Sequence, residues 1–246
     1  MILRRLTEHV RTQNWFAVAL DFVIVVVGVF IGIQVSNWNE TRQQRVEEAA
    51  LIERLRVDFK RIGEDGERSR RFHESMVADF RTLINSVRIG SLAEEDLPAV
   101  KRALAFGDAF QTSADHSGTF TELISSGRAN LLQDKQLLDQ LVEYQDFLER
   151  FAVVRDFFVG ESNEIQVLFS RHHSIDLNWT LTESIADLSV ADPGIAKIDF
   201  EAMVEDPEFE NAAEEFYRLH NYYTMWRLRI DERVDAILER LEEAQQ

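Results

Sequence analysis

The chain contains no cysteine, which excludes disulfides, thiolate metal sites and a cysteine nucleophile and leaves the compartment open. Proline and glycine are scarce too, 3 and 10 in 246 residues, against usual frequencies of about 5% and 7%. So few turn formers disfavour a many-stranded sheet and favour long helices. Basic charge is the third shortage: 27 Lys and Arg face 44 Asp and Glu, for a formal net charge of −17. A nucleic-acid partner, held by phosphate contacts to a basic face, is therefore not expected. No P-loop, dinucleotide fingerprint, nucleophile elbow or kinase signature occurs. The six histidines, His9, His73, His116, His172, His173 and His220, form no H-E-x-x-H pattern, so surface positions are expected for them and no metal or cofactor. So many carboxylates make close pairs by chance. No catalytic residue can be assigned, and a non-enzymatic protein is expected.

What the chain does have is one long apolar run. From Phe16 to Val35 the only charge is Asp21, and as a helix this stretch is about 30 Å long, the thickness of a hydrocarbon core. Its β-branched residues would also suit a buried strand, but strands stop after about 4–8 residues, and no alternating strand and helix pattern follows. One transmembrane helix is expected over 15–38, with Trp15 and Trp38 as interface anchors about 34 Å apart. The apolar region exceeds the roughly 7–15 residues of a cleaved signal, and no small-x-small site follows, so an uncleaved signal anchor is expected. Arg4, Arg5 and Arg11 precede the run, whereas Arg42 and Arg45 follow it among Glu40, Glu47 and Glu48. This bias places residues 1–14 in the cytoplasm as a short tail and the main domain outside.

Within the run, Gly28 and Gly32 form a G-x-x-x-G pair that lets two helix backbones approach closely. At helical spacing Asp21, Val25, Gly28, Gly32 and Ser36 fall on one stripe. A carboxylate in lipid is costly unless it meets water or a partner. The expected partners are the bilayer and, through this stripe, a second copy or another membrane protein.

Beyond Trp38 the pattern is helical. Residues 39–90 read as a stalk and first bundle helix, with a seam of Ile52, Leu55, Phe59 and Ile62 in steps of three and four. The same register passes through polar Gly66, Ser69 and His73 and becomes apolar again at Met76, Phe80, Leu83 and Val87. This weak centre holds Gly63 and Gly66, each costing about 1 kcal/mol relative to Ala, so a kink or local opening is expected there. Gly90 ends the element. Residues 91–133 read as short helices and a connector, with a capping-box spacing at Thr119 and Glu122 and a closing glycine at Gly127.

Asp134 opens a second long helix, 134–170, with a face of Leu138, Leu141, Gln145, Leu148 and Ala152. Residues 171–205 are less periodic and read as loops with short helices. The third long helix, 206–246, starts at an Asp206 N-cap with Pro207 in the first turn. Phe209, Ala213, Phe216, His220, Tyr223, Arg227, Ile230, Val234, Ile237 and Leu241 then keep a three-four repeat.

The expected fold is all-α: one N-terminal transmembrane helix, then an antiparallel extracytoplasmic bundle of three long, coiled-coil-like helices that rise, return and rise again. In that order the stretch around Trp179 lies near the membrane and the Gly107–Asn130 connector at the far end. His220 and Arg227 on the last seam are expected to snorkel outward or set register rather than bind a ligand. Tyr217, Tyr222, Tyr223 and Trp226 are expected in the core.

Two stretches resemble a known family. "VVVGVFIGIQVSNWNETRQ" (Val25 to Gln43) and "TELISSGRANLLQD" (Thr121 to Asp134) resemble segments of a family of small bacterial single-span membrane proteins that carry a domain of unknown function. In that family an apolar helix ends in a similar N-W-N-E. The resemblance implies an envelope location and a helical extracytoplasmic domain, with no reaction or ligand; with the orientation above, the expected place is the bacterial inner membrane. The expected role is a membrane-anchored scaffold or accessory subunit of an envelope complex; the alternative is a ligand-binding or sensory bundle acting through a partner.

Overall fold

The computed structural model describes residues 15–179 and 194–244, and of residues 15–18 and 21 only the backbone. The expected cytoplasmic tail and the side chains of Trp15 and Asp21 lie outside the described residues. The structure is 83% helical, so the chain is all-α. It divides into two compact units after Ala50. The elements are α1 (Trp15–Ile89), α2 (Leu97–Phe106), α3 (Gly118–Ser125), α4 (Lys135–Phe169), β1 (His173–Ile175), β2 (Ile195–Ile198), α5 (Phe200–Glu205) and α6 (Pro207–Glu243).

In the first unit the apolar residues of α1 have no cover: Phe22 is 69% exposed, Phe30 60% and Trp38 67%. It is the one described helix apolar and long enough to cross a membrane. Side chains added at Gly28 or Gly32 would meet nothing within 4 Å. Ser36 turns back on its own helix, its hydroxyl donating to Glu40 Oε1 at 3.3 Å.

The second unit holds the core. α1 continues through Gly63 and Gly66 to Ile89 without a break. Its expected seam is buried throughout, including Leu55, Phe59, Ile62, Phe80 and Leu83. Gly90, at φ +73°, ends it as an L side chain could not cheaply do, with the Ser91 amide reaching back to Ser86 O at 3.2 Å. Gly127 closes α3 in the same way at φ +69°. Ser117, not Thr119, caps α3: its hydroxyl accepts from the Phe120 amide at 3.1 Å. Glu122 instead meets Arg54 at 2.5 Å. Asp134 and Asp206 cap α4 and α6 as expected, accepting from the amides of Leu137 and Glu208.

The order of directions is corrected by the ring contacts. α6 runs against α1, with Phe80 on Phe216 at 5.6 Å, and against α4, with Phe169 on Phe209 at 5.3 Å and Phe147 on Trp226 at 5.4 Å. α4 runs with α1, since Phe59 meets Tyr144 at 5.3 Å and Phe80 meets Phe169 at 5.6 Å. The returning element is the connector itself. Arg102 of α2 grips Asp79 with two hydrogen bonds, 2.6 and 2.9 Å. Further back along α1, Asp58 accepts from the Ser117 hydroxyl at 2.8 Å and the Thr119 amide at 3.0 Å. Burial pushes the Asp58 carboxyl up, but the Thr119 amide and the Ser117 hydroxyl more than offset this and hold it below its usual value. The connector therefore is no end cap. It lies along the bundle as a fourth layer and buries Val100, Ala103, Leu104, Phe106, Phe120, Leu123 and Leu132. Short helices with their own apolar faces fill the place of the long one the sequence lacks.

On α4 the buried face keeps the expected Leu141 and Leu148, but Leu137, Tyr144 and Phe151 take the places of Leu138, Gln145 and Ala152, one position earlier. The segment expected as loops and short helices holds the short helix α5 among its described residues and, unexpectedly, a two-stranded antiparallel pair, His173 opposite Ile198 and Ser174 opposite Lys197. Three- and four-residue strands are too short to show alternation in the sequence.

Candidate functional site

The bundle is polar at its middle. Ser69 and His73 of α1 are 1% and 0% exposed, and His220 and Arg227 of α6 are each 0% exposed. Arg227 and His220 thus do not snorkel, because the connector covers the seam at this level. Surface positions are also corrected for His73; His172 and His173 are half-buried, and His116 is exposed. Of the aromatic cluster, Tyr223 is core at 1% exposure, whereas Tyr222 is 51% exposed and stacks on Phe158 at 6.5 Å.

One half of this centre is ionic. The Arg227 guanidinium donates through Nη1 to Asp115 Oδ1 and Ser113 Oγ, each at 2.5 Å, and through Nε to Asp231 Oδ1 at 2.8 Å. Asp231 also faces Arg70 Nε at 3.3 Å. Burial by itself would lower the Arg227 pKa, but Asp115 and Asp231 more than offset it, so the group stays charged. Tyr144 donates to the Asp115 carbonyl at 2.7 Å, fixing that loop to α4. Gly66 is the reason the guanidinium fits: a Cβ there would lie 2.8 Å from both Arg227 Nη2 and Asp231 Oδ1. The Arg227 Nη2 atom has no hydrogen-bond partner.

The other half is a pair of imidazoles. His73 Nδ1 lies 2.8 Å from His220 Nδ1, while His220 Nε2 faces Gly107 O at 2.9 Å and His73 Nε2 faces Gln111 O at 3.3 Å. Phe110 stacks on His220 at 5.0 Å and 1°, and Tyr223 lies over His73 at 3.9 Å. Desolvation pushes His220 down to about 4. Desolvation, with the neighbouring His220 adding to it, lowers His73 well below its ordinary value. Both rings are therefore neutral at pH 7. Among the described residues no group of three or more His, Asp or Glu side chains could hold a metal.

The arrangement can bind protons and fix helix register; His73, His220, Arg227 and Asp115 are buried, whereas Ser113, Gln111, Asp231 and Arg70 are half-buried. Its Asp115, Ser113, Gln111 and Asp231 could not be singled out in the sequence. A signal was present in the spacing, because Gly66 and His73 are as far apart as His220 and Arg227, and the opposed helices pair them in turn. Comparison of the chain with protein families, characterised proteins and solved structures finds no match.

Proposed function

We propose that the chain is a single-pass protein of a bacterial inner membrane, whose bundle acts outside the cytoplasm as a non-enzymatic scaffold or accessory subunit of an envelope complex. The observation that carries this reading is the apolar window of α1, of which nothing is buried by the chain itself. In water each Å² of such surface costs about 25 cal/mol, and a lipid core removes that cost. Trp38 then sits at one interface, and the arginines before the window stay on the cytoplasmic side. The resemblance around the N-W-N-E stretch supports the same location.

The open faces at Gly28 and Gly32 leave room for a second helix backbone, supplied by another copy or another membrane protein. The polar centre favours the scaffold over a ligand-binding bundle, since His73, His220 and most of the Arg227 guanidinium are already bonded within the chain rather than to a guest. Crosslinking of the full chain in native membranes tests the partner: wild type should give a discrete adduct and the Gly28→Leu/Gly32→Leu variant should lose it. Equal adducts would leave α1 as an anchor alone. A reporter fused after Gln246 should be active only outside the cytoplasm, and a cytoplasmic signal would reverse the orientation.

A further inference from the structure

The imidazole pair has a proton count that its surroundings do not balance. Main-chain carbonyls only accept, so the contacts to Gly107 O and Gln111 O each call for an N–H on Nε2, and the Nδ1–Nδ1 contact calls for one proton more. Three protons would satisfy all three contacts and give the pair a single positive charge. Two protons, the neutral count, leave one contact without. The longer contact is the one to yield: His73 carries its hydrogen on Nδ1 and donates it to His220, which donates through Nε2 to Gly107. Gln111 O loses little, because the Ser69 hydroxyl already donates to it at 2.5 Å.

We propose that His73 and His220 form a proton-sensing latch: neutral, the pair ties α1 to α6 and both to the connector, and a fourth proton sets two N–H groups head to head and opens this level of the bundle. The surroundings favour such behaviour. From α1, Ser69 and Phe72 face the pair; from the connector, Gly107, Phe110 and Gln111; from α6, Tyr223, with Phe151 of α4 behind it at 5.5 Å. Among the described residues Tyr223 is the one other titratable group in contact, and burial raises its pKa, so it stays neutral. Arg227 and Asp115 act on Tyr223 rather than on the imidazoles, as does Arg155 of α4, and Asp79 is held by Arg102. No carboxylate among the described residues bonds to either ring, so nothing offsets the charge of a doubly protonated pair. The latch is independent of the membrane reading.

The full chain in detergent micelles, labelled with 15N, can be followed through its histidine ring nitrogens while pH is lowered from 7.5 to 4. At pH 7.5 the latch requires one of these rings protonated on Nδ1 and the other on Nε2. Below about 6.5 a first added proton completes the three contacts, and the near-ultraviolet dichroism of the packed aromatics should fall only with the second, at its midpoint, while helix content is kept. Two Nε2–H tautomers at pH 7.5, or aromatic packing that is unchanged after both rings protonate, would overturn the proposal. His73→Gln keeps a donor toward His220 but cannot titrate, and its packing midpoint should move down by about one pH unit or more. An unmoved midpoint in the folded variant contradicts the latch; if the variant does not fold, the wild-type titration decides.

Discussion

The two units of the chain invert each other. The unit up to Ala50 leaves Val25, Phe30 and Ile31 more than half exposed, whereas the unit from Leu51 encloses Ser69, His73, His220 and Arg227 at 0–1% exposure. An apolar surface without cover and a charged group without water are both costly, but the first cost vanishes in lipid and the second is met inside the protein by Asp115, Asp231 and Ser113. The difference teaches that a residue's fit is decided by its surroundings: the apolar window of the first unit finds no cover within the chain, and the polar groups of the second do.

One type of substitution separates the units most sharply. Phe216→Asp or Ile230→Asp places a carboxylate among fully buried neighbours at a cost of several kcal/mol, so the bundle of the full chain in detergent should lose its cooperative thermal transition. Phe30→Asp in the first unit should leave that transition where it is. Equal effects at both sites would remove the distinction.

Breaking the ionic centre comes next. Arg227→Met leaves Asp115 and Asp231 facing an apolar side chain, and a loss of roughly 3–5 kcal/mol is expected in denaturant unfolding. The neighbouring glycines sharpen the point. Gly66→Ala puts a methyl group 2.8 Å from Arg227 Nη2 and should cost about 1–3 kcal/mol. Gly63→Ala meets only Val234 Cγ1 at an ordinary 3.5 Å and should stabilise by up to about 1 kcal/mol through helix propensity.

Acid should weaken the second unit alone. His220 is lowered in the folded state to about 4 from an unfolded value near 6.5, so above about 6.5 both states hold it neutral and stability is level. Between about 6.5 and 4 the unfolded chain takes up the proton first, and the folded state loses roughly 3 kcal/mol from this group. His73 shifts the same way. Denaturant midpoints measured from pH 8 to 4 should fall in that window. The smallest effect belongs to the surface pair Arg71 and Glu67, each about half exposed: Arg71→Ala should change stability by no more than about 0.5 kcal/mol.

What could be read from the sequence follows from how far each signal reaches. The seam of α6 was legible residue by residue, as were the Asp134 and Asp206 caps and the Gly90 and Gly127 ends, because each is a local pattern of side-chain size or backbone freedom. The direction of α4 was not, because it depends on where residues 91–133 go. Those residues return along the bundle with their own apolar side chains buried, while Asp79 and Asp58, both on α1, hold Arg102 and the start of α3. The polar centre was half legible: Gly66, Ser69 and His73 stood out as an interruption of one seam and His220 and Arg227 as an interruption of another. Asp115 and Ser113, in a loop with no period, gave no hint that they complete it.

The central claim is that lipid covers the apolar window of α1. Fractionation of cells producing the full chain, followed by alkaline carbonate extraction of the membranes, tests it directly, with a variant carrying Val26→Asp and Phe30→Asp beside the wild type. The wild type is predicted to stay in the membrane pellet through the extraction and the variant to be released, since each carboxylate at mid-window costs roughly 2.5–3.5 kcal/mol of insertion. A wild-type chain recovered folded in the soluble fraction, or one stripped by carbonate as readily as the variant, would contradict it.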